Sequence, residues 1–158
     1  MVQPASTEIA NRTMAIVEER KVLEGPLLPI LHDIQEEFGY VPREALPVIA
    51  SGLNLSRAEV YGVVSFYHDY RNEPAGRHVL KLCQAESCQS MGSDAVAARL
   101  KQLLGIDFHQ TTGDGAVTLE PVYCLGLCAC SPAAMLDGEV IGRIDADRVD
   151  AIVAEVRA

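Results

Sequence analysis

Four of the five cysteines fall into two close pairs. Cys83-x4-Cys88 is followed, after 35 intervening residues, by Cys124-x3-Cys128, and Cys130 stands two positions further on. Thiolates are metal ligands. Two pairs from two loops supply what a [2Fe–2S] cluster requires, namely two tetrahedral irons, each completed by two cysteine sulfurs. On this reading Cys83 and Cys88 hold one iron, and Cys124 and Cys128 hold the other. Four anionic thiolates make the oxidised cluster doubly negative, which favours a low reduction potential, relieved in part by N–H groups aimed at sulfur. Structural zinc is the main alternative, because four-cysteine zinc sites also use close pairs, usually spaced by two to four residues. The x4 and x3 spacings do not exclude it. A thioredoxin-type dithiol needs Cys-x-x-Cys, which is absent. A Rieske centre needs histidines in the cysteine loops, and neither loop has one.

The remaining reactive residue types carry no comparable pattern. Cys130 reads as a packed thiol, since free cysteine behaves as a small hydrophobe. The four histidines, His32, His68, His78 and His109, are scattered. Glu86 lies inside the first cysteine loop and reads as solvated. Phe66, Tyr67 and Tyr70 sit close to helical spacing and read as packing, including against a partner. The chain contains no Ser/His/Asp set, no paired carboxylates in a catalytic setting, no phosphate loop and no GxGxxG. On its own it is read as non-catalytic, with no site for NAD or flavin.

Each cysteine pair falls where a predicted strand runs into a loop. A strand fixes the first thiolate, and the loop curls the second towards the same point. Gly92 and Gly126 permit tight turning there. The first strand spans His78 to Cys83. Ser93 is placed to cap a helix with Val96, Leu100, Leu103 and Leu104 on one face, ended by Gly105. Residues 106–112 read as a second strand, and 116–123 as a third. Asp137-Gly138 between 133–136 and 139–144 is a two-residue hairpin signal. Asp145 or Asp147 caps a last helix carrying Val149, Ile152, Val153 and Val156. This order suggests a small sheet with helices packed on it, a thioredoxin-like α/β unit.

Upstream the period is helical. Residues 7–20 form a polar helix that stops at Gly25-Pro26. Leu27, Leu31, Ile34 and Phe38 recur at helical spacing, with Gly39 as the C-terminal cap. Pro42 is expected to open the next helix. Ser56 with Glu59 makes a capping box ahead of Val60, Val63, Val64 and Tyr67. Residues 71–77 read as a linker. The expected organisation is α/β overall: an N-terminal helical bundle, residues 1–77, then a thioredoxin-like [2Fe–2S] domain, residues 78–158.

Bulk composition narrows the partners. The chain carries a net charge of −9, with 11 acids against 7 bases in residues 1–77 and 11 against 6 in residues 78–158. An evenly acidic surface repels phosphate backbones, which argues against nucleic acid. Met1 to Arg20 lacks the apolar run of a signal peptide, and no stretch approaches a membrane span. A cytoplasmic protein is expected, and in that compartment grouped thiols serve metals or catalysis more than disulfides.

Cys-Gln-Ala-Glu-Ser-Cys (83–88) and Cys-Leu-Gly-Leu-Cys-Ala-Cys-Ser-Pro (124–132) resemble the two cluster loops of the thioredoxin-like [2Fe–2S] ferredoxins. That family includes the 24-kDa-type subunit of NADH:quinone oxidoreductase (NADH dehydrogenase). It also includes the small diaphorase subunit of NAD-reducing hydrogenases and the gamma subunit of NAD-dependent molybdenum formate dehydrogenases. Phe38-Gly39-Tyr40-Val41-Pro42 and Val60-Tyr61-Gly62-Val63-Val64-Ser65-Phe66-Tyr67 are similar to the family's helical segment, and Pro74-Ala75-Gly76-Arg77-His78 to its entry into the ferredoxin domain. The match covers about residues 24–145. The short length and the run Cys-Leu-Gly-Leu-Cys-Ala-Cys-Ser-Pro-Ala-Ala (124–134) look closest to the formate dehydrogenase gamma subunit. Cys130 departs from the pattern of many relatives and leaves the four matched cysteines untouched. The resemblance implies a flavin- and NAD-binding iron–sulfur partner carrying FMN, and a separate subunit holding a molybdenum cofactor that oxidises formate. This chain's cluster would then exchange single electrons with the partner's FMN.

Overall fold

The structure is a computed structural model describing residues 6–157. The chain divides into two compact units, Met1–Pro74 and Ala75–Ala158, each with its own apolar core. Among the described residues no helix is long and apolar enough to cross a membrane.

The first unit is helical: α1 (Ser6–Arg20), α2 (Leu27–Phe38), α3 (Ala45–Leu53) and α4 (Arg57–Phe66). Ile30, Leu31 and Ile34 give α2 one fully buried stripe, which meets Val17, Ile49 and Val60 from the other three helices. Gly39 ends α2 at φ 79°, its N–H donating to the Gln35 carbonyl. Ser56 and Glu59 form the expected capping box, with the Ser56 N–H donating to the Glu59 carboxylate at 2.8 Å. Proline at the next helix start is where expectation and structure differ. The chain turns at Pro42, whose carbonyl accepts from the Ala45 N–H, and α3 begins only at Ala45. Pro47 then falls in the first turn of α3, where a missing N–H breaks no intrahelical bond.

The second unit is a five-stranded sheet, β1 (His78–Cys83), β2 (Gln110–Thr111), β3 (Val117–Val122), β4 (Ala134–Leu136) and β5 (Glu139–Ile141), in the order β2-β3-β1-β4-β5. Its helices are a one-turn α5 (Glu86–Ser90), α6 (Ser93–Leu104) and α7 (Ala146–Arg157). β1 and β3 are parallel neighbours, and the other pairings are antiparallel. Parallel strands need a long crossover, here carried by α5 and α6. Leu80, Leu82, Val117 and Leu119 share one core with Val96, Leu100 and Leu104 of α6 and with Val149, Ile152, Val153 and Val156 of α7. Asp137 and Gly138 both take positive φ, 50° and 93°, as a tight hairpin between twisted strands demands. Asp145 is the residue that caps α7, accepting from the Arg148 N–H at 2.8 Å.

Three local expectations are corrected. The second strand is only two residues long, because residues 106–109 follow the helix as a turn before Gln110 pairs with Leu119. The loop 84–90 contains α5, too short to show a period. Ser93 is not a cap: Gly92 occupies that position at φ 94°, and Ser93 is the first residue of α6, fully buried. Its hydroxyl donates to the Cys83 carbonyl at 2.5 Å and accepts from Gln84 Nε2 at 2.8 Å.

Candidate metal centre

The parallel register brings the two cysteine loops together. Cys83, the last residue of β1, lies opposite Val122, the last residue of β3. Cys124 follows two residues later, so both chains leave the sheet at the same edge. The C-terminal ends of parallel strands are where open α/β sheets place their ligands. Backbone bonds hold that edge: the Cys83 N–H donates to the Ala133 carbonyl at 2.9 Å, and the Gln84 N–H to the Val122 carbonyl at 2.8 Å. From there α5 carries Cys88, and a single 3-10 turn over Cys128–Cys130 carries Cys128.

Cys83, Cys88, Cys124 and Cys128 all line one cavity of about 260 Å³, whose other walls include Ala85, Leu125, Leu127 and Ala133. Glu86 stands exposed at its margin. The two pairs differ in exposure. Cys83 and Cys88 are buried, whereas Cys124 and Cys128 face outward. The Cys124 and Cys128 sulfurs are 3.9 Å apart. A tetrahedral metal with metal–sulfur bonds of about 2.3 Å separates two of its sulfurs by about 3.8 Å, so this pair already has the bite of one metal. Among the described residues no three His, Cys, Asp or Glu side chains gather as around a lone ion.

The surroundings favour thiolate sulfur at the inner position. Burial opposes ionisation of Cys83. N–H groups of Ala85, Cys124 and Leu125, with the Cys88 thiol, outweigh it and bring Cys83 below the ordinary thiol range. At the outer position the neighbouring Cys124 pushes the Cys128 thiol up, through a shared hydrogen bond and then through charge repulsion. Two anions this close are stable only with a cation between them. The Gly126 N–H donates to the Cys124 sulfur at 3.4 Å. Cys124 itself sits at φ 96°, a conformation costly for any residue with a Cβ. A non-glycine residue held there marks a position where the side chain matters more than backbone comfort.

Cys130 is not among the residues lining the cavity. It packs on β5's exit: a Cβ on Gly142 would meet Cys130 Cβ at 2.8 Å, and the Arg143 N–H donates to the Cys130 carbonyl at 2.7 Å. Two hydroxyls that the sequence did not single out join the loops. Ser87 Oγ and Ser131 Oγ are 3.0 Å apart, and both lie against the Cys128 carbonyl. No spacing rule identifies the pair, because Ser87 meets Cys128 and Ser131 across more than 40 residues of sequence.

Comparison with known proteins decides the family. Residues 13–157 match the thioredoxin-like [2Fe–2S] ferredoxin family. The chain belongs to it. Its cofactor is accordingly a [2Fe–2S] cluster, and four cysteines around one cavity, with amides directed at sulfur, are a donor set suited to it. This ferredoxin is 39% identical over 132 residues to a subunit of the NADH-quinone oxidoreductase of Rhizobium meliloti, covering 84% of this chain and 79% of that one. It is 33% identical over 153 residues to the HndA subunit of the NADP-reducing hydrogenase of Solidesulfovibrio fructosivorans, covering 97% and 87% respectively. Among solved structures, a chain of an NAD+-reducing [NiFe]-hydrogenase in the air-oxidised state superposes with a TM-score of 0.71 at 26% identity. That alignment takes in 83% of this chain and 22% of the hydrogenase chain.

Proposed function

We propose that this ferredoxin is the electron-transfer subunit of an NAD-linked oxidoreductase complex in the cytoplasm, with its cluster held by Cys83, Cys88, Cys124 and Cys128. The observation that carries the reading is that these four side chains, from two loops 35 residues apart, share the wall of one cavity. When bound, a [2Fe–2S] cluster supplies one-electron chemistry. The chain's own residues do the rest. Ala85, Leu125, Leu127 and Ala133 exclude water. The amides of Ala85, Cys124 and Leu125 offset negative charge at Cys83. Outward-facing Cys124 and Cys128 make theirs the side on which a partner's cofactor can approach.

The partner is a flavin- and NAD-binding subunit, whose FMN exchanges single electrons with this chain. The names of the relatives, an NADH-quinone oxidoreductase subunit and pyridine-nucleotide hydrogenase subunits, support this class of complex. The helical unit is the docking element. Exposed Tyr61 and Phe66 on α4, and an apolar cavity of about 720 Å³ between Val22, Leu28, Leu53, Val63 and Tyr67, give it a surface of the kind that partners bury. Within the class, the run 124–134 favours a formate dehydrogenase, whose third subunit would hold molybdenum. Affinity capture of the tagged chain from its host, with metal analysis and activity assays on the captured complex, tests the choice. Molybdenum with formate-dependent NAD+ reduction is expected. Nickel with hydrogen-dependent reduction, or quinone-dependent NADH oxidation with neither metal, would overturn the formate reading and leave the electron-transfer role standing.

A further inference from the structure

We propose that the Ser131 hydroxyl, backed by Ser87, donates a hydrogen bond to the Cys88 sulfur and thereby raises the reduction potential of the cluster. The inference rests on the ligand set proposed above. Ser131 Oγ lies 3.6 Å from Cys88 Sγ, 2.8 Å from the Cys128 carbonyl and 3.0 Å from Ser87 Oγ. Ser87 Oγ is itself 3.3 Å from the same Cys128 carbonyl.

Two hydroxyl protons therefore serve three acceptors, namely the Cys128 carbonyl, the Cys88 sulfur and the neighbouring serine oxygen. As a metal-bound thiolate, Cys88 has no proton and becomes the strongest acceptor in reach. Ser87 can then satisfy the Cys128 carbonyl, which frees the Ser131 proton to turn to sulfur. Cys88 is only 3% exposed, so water does not compete for that sulfur.

The consequence for potential follows from charge. Reduction adds one electron to a centre that is already negative and breaks no bond. The hydroxyl proton stays on oxygen throughout. A donor at a ligand sulfur stabilises the more negative, reduced form more than the oxidised form. In an apolar, buried setting this effect is weakly screened.

The test uses the full chain purified anaerobically, with iron and sulfide counts, a redox titration followed by electron paramagnetic resonance, and deuteron couplings after exchange into D2O. Ser131→Ala is expected to keep its irons, titrate at a more negative potential and lose one exchangeable-deuteron coupling. Ser131→Thr, which keeps a hydroxyl, is expected to retain both properties. Ser87→Ala is expected to shift the potential the same way by less, because the single Ser131 proton is then divided between the carbonyl and the sulfur. Equal potentials in wild type and Ser131→Ala, or equal shifts in the Ala and Thr variants, would overturn the proposal. Should Ser131→Ala fail to hold iron, an unchanged potential in Ser87→Ala would overturn it instead. A wild-type protein without iron and sulfide would sink the ligand reading itself, a result distinct from all of these.

Discussion

At the level of single residues the account depends on which sulfurs face the cavity and which does not. Replacing Cys83, Cys88, Cys124 or Cys128 by alanine is expected to abolish cluster loading, measured as iron and acid-labile sulfide per chain. Cys130→Ser is expected to leave loading intact, because Cys130 packs against Gly142 away from the cavity. Cys124 offers a sharper check. Its φ of 96° suits glycine. In the metal-free protein, Cys124→Gly should therefore be more stable than Cys124→Ala by about 1–2 kcal/mol in urea unfolding, although both lose the cluster. Equal stabilities would mean that the backbone relaxes freely there. That Cys83, Cys88, Cys124 and Cys128 would line one cavity was legible from spacing, because thiolate pairs have few uses in a chain without disulfide signals. The hydroxyls of Ser87, Ser93 and Ser131 were not, since serine is common and its role depends on distant partners. Ser93 shows the limit plainly. Its place before a helical run suggested a cap, and its burial against the Cys83 carbonyl made it a strut.

Secondary-structure elements set the distances on which those residues rely. In the helical unit α1 and α3 approach so closely that a Cβ on Gly52 would stand 2.5 Å from Val17 Cγ1. Gly52→Ala must push Val17 aside or part the helices, at a cost of about 1–3 kcal/mol measured by chemical unfolding. In the sheet unit the turn before β3 depends on Asp114, whose carboxylate accepts from the Thr112 hydroxyl at 2.5 Å and the Ala116 N–H at 3.0 Å. The Thr112 hydroxyl first, then the Ala116 N–H, hold this carboxyl below its usual range. A depressed carboxyl contributes stability above its unfolded pKa, and that contribution disappears as pH falls through the folded value. Asp114→Asn is thus expected to destabilise the protein at neutral pH and to narrow its loss of stability between about pH 5 and pH 2. An identical acid profile in the variant would contradict the assignment. Elements with a strong period or a definite cap were readable beforehand, including α2 with Gly39, the capping box of α4 and the Asp137-Gly138 hairpin. β2 and α5 were not, because two residues of strand and five of helix carry no period, and pairing with β3 or a site loop decides their conformation.

At the scale of the whole molecule the chain forms two units with separate cores. All four cavity cysteines, their amide donors and the serine pair belong to Ala75–Ala158. A fragment of residues 75–158 is therefore expected to fold and take up iron and sulfide in the same ratio as the full chain. It is expected to lose association with the flavin subunit, as judged by co-purification. Retained association would move the docking surface out of the helical unit. Family membership and architecture could be read from the cysteine loops and the change of period near residue 77. The parent complex could not, because it depends on surfaces that bind other chains and leave no periodic trace. The central claim is that two loops place four sulfurs around one two-iron core. Iron, zinc and acid-labile sulfide measured on anaerobically purified protein test it most directly: the account predicts two irons and two sulfides per chain, and zinc with no sulfide would contradict it.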